Sequence, residues 1–257
     1  MKKLFVSAGV IFFLASSCHA WIDPNLFDPK SVYPNALTGG DLSPDLKTSS
    51  SMILQSGAYF TVGDGYNKSN MLNFDGSNDS ALLPNYPYEQ FVSRATNSWT
   101  IAFWINFDID EAATRQFFGQ TTALGKKSAN YKGSCGNDIF FQEGSEFGYT
   151  TFCGSFTANV WHHVAWTYAN AVSTNGYLAF QWNYFRDGVW IDGVVKSWVN
   201  NFDADTCFGA NCDGVGATQM KLGTVEIFNF ALSTQQVQAI YNVGRSAYYS
   251  KPSVGAR

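Results

Sequence analysis

Across residues 177–200 (YLAFQWNYFRDGVWIDGVVKSWVN) large apolar or aromatic residues alternate with polar ones, and Asp187-Gly188 and Asp192-Gly193 interrupt the alternation. Period-two alternation carried by Phe180, Trp182, Tyr184, Trp190 and Ile191 predicts half-buried strands. The two Asp-Gly pairs predict tight hairpin turns. The stretch reads as successive antiparallel strands at the centre of a sheet, and strands this aromatic require a second covering layer. The same pattern predicts strands at 58–62, 71–74, 81–83, 117–124, 138–142, 147–152 and 161–168, with a turn over Asp75-Gly76-Ser77-Asn78-Asp79. The near-continuous apolar run 99–107 (WTIAFWINF) predicts a strand that is buried on both faces or bears an aromatic outer face.

One helix interrupts this β pattern. Ser233 and Gln236 have the spacing of a capping box, Val237, Ile240 and Tyr241 share one helical face, and Gly244 is expected to stop the helix in a left-handed conformation. A short helix after many strands predicts an all-β, two-sheet antiparallel sandwich with the helix against its edge. Residues 21–51, punctuated by Pro24, Pro29, Pro34, Pro44 and Gly39-Gly40, read as an extended arm with little regular structure, its Trp21, Leu26, Phe27 and Tyr33 packing on the domain. The main domain is expected over 52–245, with a flexible tail over 246–257.

Composition narrows the class. The chain of 257 residues is 46% hydrophobic and 17% aromatic but only 14% charged, against about a quarter charged in ordinary soluble domains. Its surface must therefore draw polarity from Asn, Ser, Thr, Gln and Gly, which suits an extracytoplasmic all-β protein. Residues 1–20 read as a secretory signal, with Lys2 and Lys3, an apolar run and a small-residue end at Cys18-His19-Ala20. The rival reading is a lipobox at 14–18 with Cys18 lipidated. Cleavage after Ala20 would change the formal charge from −4 to −6, 14 basic against 20 acidic residues. An acidic chain without a Lys/Arg cluster is a poor partner for nucleic acid or an anionic membrane, and no later run is long enough to span a bilayer as a helix.

Cleavage leaves Cys135, Cys153, Cys207 and Cys212, an even number that allows three disulfide connectivities. Cys207 and Cys212 flank a short turn, and Cys135 and Cys153 flank the hairpin-like segment 137–151, so the expected bridges are Cys135–Cys153 and Cys207–Cys212. Zinc is not indicated, since there is no CxxC and no cysteine at ligand spacing from His162-His163. Asn67-Lys68-Ser69 and Asn78-Asp79-Ser80 are N-glycosylation sequons, relevant in a eukaryotic source.

Five segments in order resemble laminin-G-like domains of the concanavalin A-like lectin/glucanase superfamily. Met71-Leu72-Asn73-Phe74-Asp75-Gly76-Ser77-Asn78-Asp79 resembles the opening LSFDGxDD strand, Trp99 to Ile105 the FTISxWV strand, and Trp161-His162-His163-Val164-Ala165 the WHHVA strand. Trp190-Ile191-Asp192-Gly193-Val194-Val195 resembles LYVDGVLV, and LGTVEIFNFALSTQQVQAIY from Leu222 resembles the closing strand, turn and helix shared with pentraxins. The resemblance covers about 71–244 and implies a jelly roll whose relatives mostly bind glycans or glycoproteins, often through calcium. It also implies that His162 and His163 are structural. The positions matching the pentraxin disulfide are Ala102 and Ala165, and the closing strand begins Lys221-Leu222-Gly223 where relatives carry acidic residues. Both departures weigh against a family-type calcium site.

The candidate chemistry follows from these readings. Asn137 and Asp138 stand where pentraxins place a metal-ligand pair, and with Asp203 and Asp205 they are the candidate calcium ligands, with Asp213 in the same later loop; calcium takes six to eight oxygens. Trp182, Tyr184, Trp190 and Trp198 are the candidate sugar-stacking platform. A hydrolase needs two placed carboxylates; the Glu-x-Asp-x-x-Glu strand of laminarinase-like relatives is absent, and the nearest pair, Glu143 and Glu146, falls in a turn. Tyr184 to Gly188 (YFRDG) is similar to one alginate-lyase motif without its companion strands. The reading is a secreted, non-enzymatic module that recognises a glycan or glycoprotein. Its alternatives are a glycan-active enzyme of the same superfamily and a structural surface protein.

Overall fold

β7 (Trp99–Phe107) is buried at all nine positions, and the rest of the molecule forms in layers on its two sides. A computed structural model of the protein describes residues 31–33, 42–44, 51–61, 70–83, 98–108, 115–119, 127–132, 138–143, 150–151, 156–171, 179–196, 206–210, 212, 214 and 216–249. The expected signal 1–20, the Cys135–Cys153 bridge and the Asn67-Lys68-Ser69 sequon lie outside these residues, as do Trp21, Leu26 and Phe27.

Two antiparallel sheets face each other. The first runs from edge to edge through β14 (Val189–Lys196), β13 (Ala179–Arg186), β12 (His162–Ala171), β7, β16 (Gln219–Phe228), β5 (Met71–Asp75) and β4 (Tyr59–Thr61), with β1 (Ser31–Tyr33) also paired to β16. The second runs through β11 (Thr150–Thr151), β10 (Asp138–Glu143), β9 (Lys127–Lys132), β8 (Arg115–Gly119), β15 (Thr206–Phe208), β6 (Ser80–Leu83), β3 (Ser51–Gln55) and β2 (Leu42–Pro44). Side chains alternate along a strand, so β7 sends Trp99, Ile101, Phe103, Ile105 and Phe107 into the space between the sheets. There Phe103 meets Phe117, Phe118, Trp166 and Phe208 at centroid distances of 5.3–6.5 Å. Edge-to-face and offset contacts of this kind add to the area each ring buries.

The opposite side of β7 is covered by helix α1 (Thr234–Tyr249). Ala102, Ala165, Phe185 and Phe228 of the sheet pack with Leu232, Val237 and Ile240. The helix therefore lies on the sheet's outer face, not against an edge as expected, because the small Ala102 and Ala165, direct partners in the β7–β12 register, leave room for it there. Its start follows the capping-box expectation: Ser233 N–H donates to Gln236 Oε1 at 2.8 Å and Gln236 N–H to Ser233 Oγ at 3.3 Å. Ser233→Ala should lower stability by about 1 kcal/mol, read as a lower denaturant midpoint with unchanged slope. Gly244 does not stop the helix. A Cβ there would sit 2.9 Å from the Trp104 Nε1, so the glycine admits the indole, which stacks on Tyr241 at 5.7 Å, and the helix continues through it.

Other expectations need correction. The aromatic stretch 177–200 lies at one side of its sheet, with β14 at the edge, and β7 holds the centre. Asp187-Gly188 does turn the chain, both residues having positive φ (52° and 76°) as the two-residue hairpin requires. Asp192-Gly193 does not, since β14 runs through it. The arm 21–51 contributes β1 and β2, one strand to each sheet, and Pro44 sits on the edge strand β2, where its missing N–H leaves no ladder bond unmade. β9 and β15 had no strand signal in the alternation. Cys207 and Cys212 are bridged, with Cα atoms 5.2 Å apart. Among the described residues no helix is long and apolar enough to cross a membrane.

Candidate functional site

On β13 the polar residues set the phase. Gln181 and Asn183 face outward, so Trp182 and Tyr184 must face the other sheet. Trp182 is 5% exposed and meets Trp99 edge-on at 5.2 Å and Tyr168 at 5.0 Å, and Tyr184 is fully buried in the same core. Neither can stack on a sugar, which corrects half of the expected platform: their aromatic surface closes the sandwich. Trp198 lies outside the described residues.

Trp190 is different. It is 48% exposed and pairs with Phe185 in the register, so it shares the outer face with Gln181 and Asn183. Its Nε1–H donates to Asn183 Oδ1 at 3.2 Å, Gln181 Nε2 donates to the same oxygen at 3.1 Å, and Asn183 Nδ2 donates to Thr167 Oγ1 at 3.2 Å. The register shifts between Tyr184 and Phe185, so that Tyr184 opposes Asp192 and Phe185 opposes Trp190, leaving Ile191 as the extra residue of a bulge. Gly193 then lies opposite Asn183, where a Cβ would come within 2.7 Å of Asn183 Oδ1 and 3.5 Å of the indole Cζ2. The Asp-Gly pair that reads as a hairpin is the clearing in which the amide and the indole meet. The result is a fixed aromatic face beside two amides on an edge strand that also exposes Val195.

His162 and His163 are placed as structural residues. The Nδ1–H of His162 donates to Asp187 Oδ2 at 2.8 Å, and the backbone N–H of His163 to Asp187 Oδ1 at 2.9 Å; Asp187 N–H in turn donates to the carbonyl of His163 at 2.8 Å. The hairpin turn is thus clamped onto β12. Burial opposes the charge on Asp187, yet the hydrogen bonds from His162 and His163 and their positive potential outweigh it and hold its carboxyl below the usual value. His163 is enclosed by Trp104 and Tyr241, and burial brings its pKa down to about 4 against the pull of Asp187. The YFRDG likeness dissolves into the same scaffold: Tyr184 is core, Arg186 lies over the Phe156 ring at 5.4 Å, and Asp187 is the clamp.

Of the expected calcium ligands, Asn137, Asp203 and Asp205 lie outside the described residues, as does Asp213; Asp138 opens β10 with its backbone opposite Lys132. Among the described residues no three His, Cys, Asp or Glu side chains gather as a metal site. Glu143 ends β10 and Glu146 lies outside the described residues. One acid missed by the sequence reading is Glu226 on β16, opposite Ala102 and Val32, whose carboxyl burial pushes up to about 7. Gln181 and Asn183 were also missed, though their polarity within an aromatic run was the signal that they face outward.

A family model described as Concanavalin A-like lectin/glucanases superfamily, that of a laminin G family, matches residues 75–238. A search of curated proteins finds no match. Similar solved structures include Trypanosoma rangeli sialidase in complex with 2,3-difluorosialic acid, with TM-score 0.62 and 14% identity over 84% of this chain and 33% of that one. They also include the receptor binding domain of botulinum neurotoxin D, with TM-score 0.60 and 12% identity over 84% of this chain and 52% of that one. The chain spans about a third of the sialidase and about half of the toxin domain. At these identities the likeness is one of fold, a fold found in both an enzyme and a binding domain.

Proposed function

Because the chain belongs to the concanavalin A-like lectin/glucanases superfamily, we propose that it is a secreted, non-catalytic module that recognises a glycan or glycoprotein. The carrying observation is the half-exposed indole of Trp190, held by Asn183 beside Gln181. Pyranose rings present C–H faces to an aromatic plane and hydroxyls to neighbouring amides, and a few polar groups around an apolar surface fix a ligand's orientation. An indole already anchored by a hydrogen bond loses little freedom on binding. The Cys207–Cys212 bridge supports residence in an oxidising compartment. The names of the sialidase and of the toxin's receptor binding domain favour recognition of carbohydrate or receptor surfaces as the class.

The second reading, a glycan-active enzyme, has one observation in its favour. Glu226 titrates near 7, the range suited to a general acid. Glycoside hydrolysis normally needs a second carboxylate across the bond, and Glu226 has alanine and valine opposite it in the ladder.

A glycan array probed with the full chain, with and without EDTA, separates these readings. Binding should appear without product release and weaken about tenfold or more in Trp190→Ala, the loss of one stacking contact worth about 1–2 kcal/mol. Undiminished binding by the Trp190 variant, or turnover of a bound glycan, would reject the proposal. Loss of signal in EDTA alone would assign a role to calcium through the loop residues.

A further inference from the structure

β14 ends the first sheet, and among the described residues no strand pairs with its outer side. An edge strand presents alternate backbone N–H and C=O groups away from its sheet, ready to pair with another chain. Three large apolar side chains are exposed on this one strand, Val189 at 58%, Trp190 at 48% and Val195 at 61%. A long apolar edge is a template for a further strand unless something blunts it. The bulge at Ile191 blunts the half next to the hairpin. It leaves the segment 192–196, Asp-Gly-Val-Val-Lys, in unbroken register with β13. Laid antiparallel to a copy of itself about Val194, that segment sets Asp192 opposite Lys196 and Gly193 opposite Val195, and symmetry repeats both pairs.

We propose that β14 pairs with β14 of a second copy of this chain in that register, joining the two sheets about a two-fold axis at Val194. Each copy then offers the same patch to the other, the isologous contact of most dimers. Charge selects the register, since opposite charges facing each other across strands attract and like charges repel. A register centred on 192 would set Asp192 against itself, and one centred on 196 would set Lys196 against itself. Those centred on 193 and 195 would leave each charge opposite an apolar residue. Size selects it as well. Gly193 has no side chain, and the Trp190 Cζ2 lies 3.5 Å from where its Cβ would be. The exposed Val195 of the second copy comes opposite this glycine and packs along the edge of the indole. A second copy is favoured over a foreign peptide because the complement of this strand is its own sequence. The pairing lies in the plane of the sheet and leaves the open face of the indole free, so it does not depend on what Trp190 binds. An interface of this size is small, and the dimer exchanges with monomer.

The test is sedimentation equilibrium of the full chain at loading concentrations from about 1 to about 300 μM. The expected result is a monomer–dimer equilibrium. It should weaken about tenfold in Asp192→Lys and in Lys196→Asp, each of which turns two attractive pairs into repulsive ones. An equimolar mixture of the two single variants should dimerise like the parent, because each supplies the charge that the other has lost, and so should the double variant D192K/K196D. Val195→Glu, at an exposed position, should weaken the dimer without moving the thermal midpoint, a readout that stands even where a variant at 192 fails to fold. A monomer across the whole range, a dimer that none of these variants weakens, or a mixture of folded single variants that stays monomeric would overturn the pairing.

Discussion

Trp182→Ala is expected to remove about 3–5 kcal/mol of folding free energy, the usual cost of truncating a buried indole, whereas Trp190→Ala should shift stability by about 0.5 kcal/mol or less, as for most surface changes. Four residues lie between β13's Trp182 and the Asp187-Gly188 turn, and Trp190 is the second residue after it, yet the two indoles have opposite tasks. Trp182 is wedged between Trp99 and Tyr168, and the cavity it would leave has rigid walls from two strands. Trp190 rests on a bare glycine with one hydrogen bond. Urea titration of both variants measures the difference. If the two lose equal stability, or if Trp182→Ala keeps the parent midpoint, the division into core and platform is wrong.

The second large effect is a pH dependence that is hidden in the parent chain. His163 has an ordinary value of 6.5 and a folded value of about 4. Between these the unfolded chain binds a proton that the folded chain does not, so stability falls as pH drops through this window. Glu226 moves the other way, from 4.5 to about 7. From 4.5 upward the unfolded chain has released a proton that the folded chain keeps, so stability falls as pH rises. Over pH 4.5–6.5 the two slopes oppose each other and nearly cancel. Glu226→Gln removes one of them, and the variant should gain about 2 kcal/mol between pH 4.5 and 6.5, the slope of about 1.4 kcal/mol per unit flattening at both ends of the window, while the parent stays nearly flat. Groups such as Asp187, whose folded value is lowered, are common to both proteins and drop out of the difference. Denaturant midpoints of the two proteins at the two pH values give the comparison; a variant as flat as the parent would refute it.

The layered β architecture was legible where local chemistry and long-range packing agree. The run 99–107 is apolar at almost every position because β7 is covered on both faces, and the Ser233–Gln236 reciprocal cap is a purely local device. The alanines at 102 and 165, in the place of a disulfide in pentraxins, turned out to be direct ladder partners. The failures came where a residue's role depends on what stands across from it. Asp192-Gly193 has turn chemistry, but Asn183 and the Trp190 indole occupy the space that Gly193 leaves. Gly244 could have ended a helix, and Trp104, 140 residues earlier in the numbering, decides that it does not. Counting aromatics as a platform ignored that Gln181 and Asn183 claim the outer face.

The position of β7 also governs how the chain can come to be folded. Its Thr100 Oγ1 donates to the carbonyl of Phe230 and accepts from the N–H of Leu232, partners 130 and 132 positions away, and β16 is also the strand on which β1 docks. Contacts of such separation form slowly, since a long loop must close before they bring any gain. During synthesis the aromatic strands from β5 to β14 emerge before the ribbon that seals them, with open edges and uncovered rings. Such a nascent chain is prone to self-association until the closing strand Gln219–Phe228 and the helix Thr234–Tyr249 have followed.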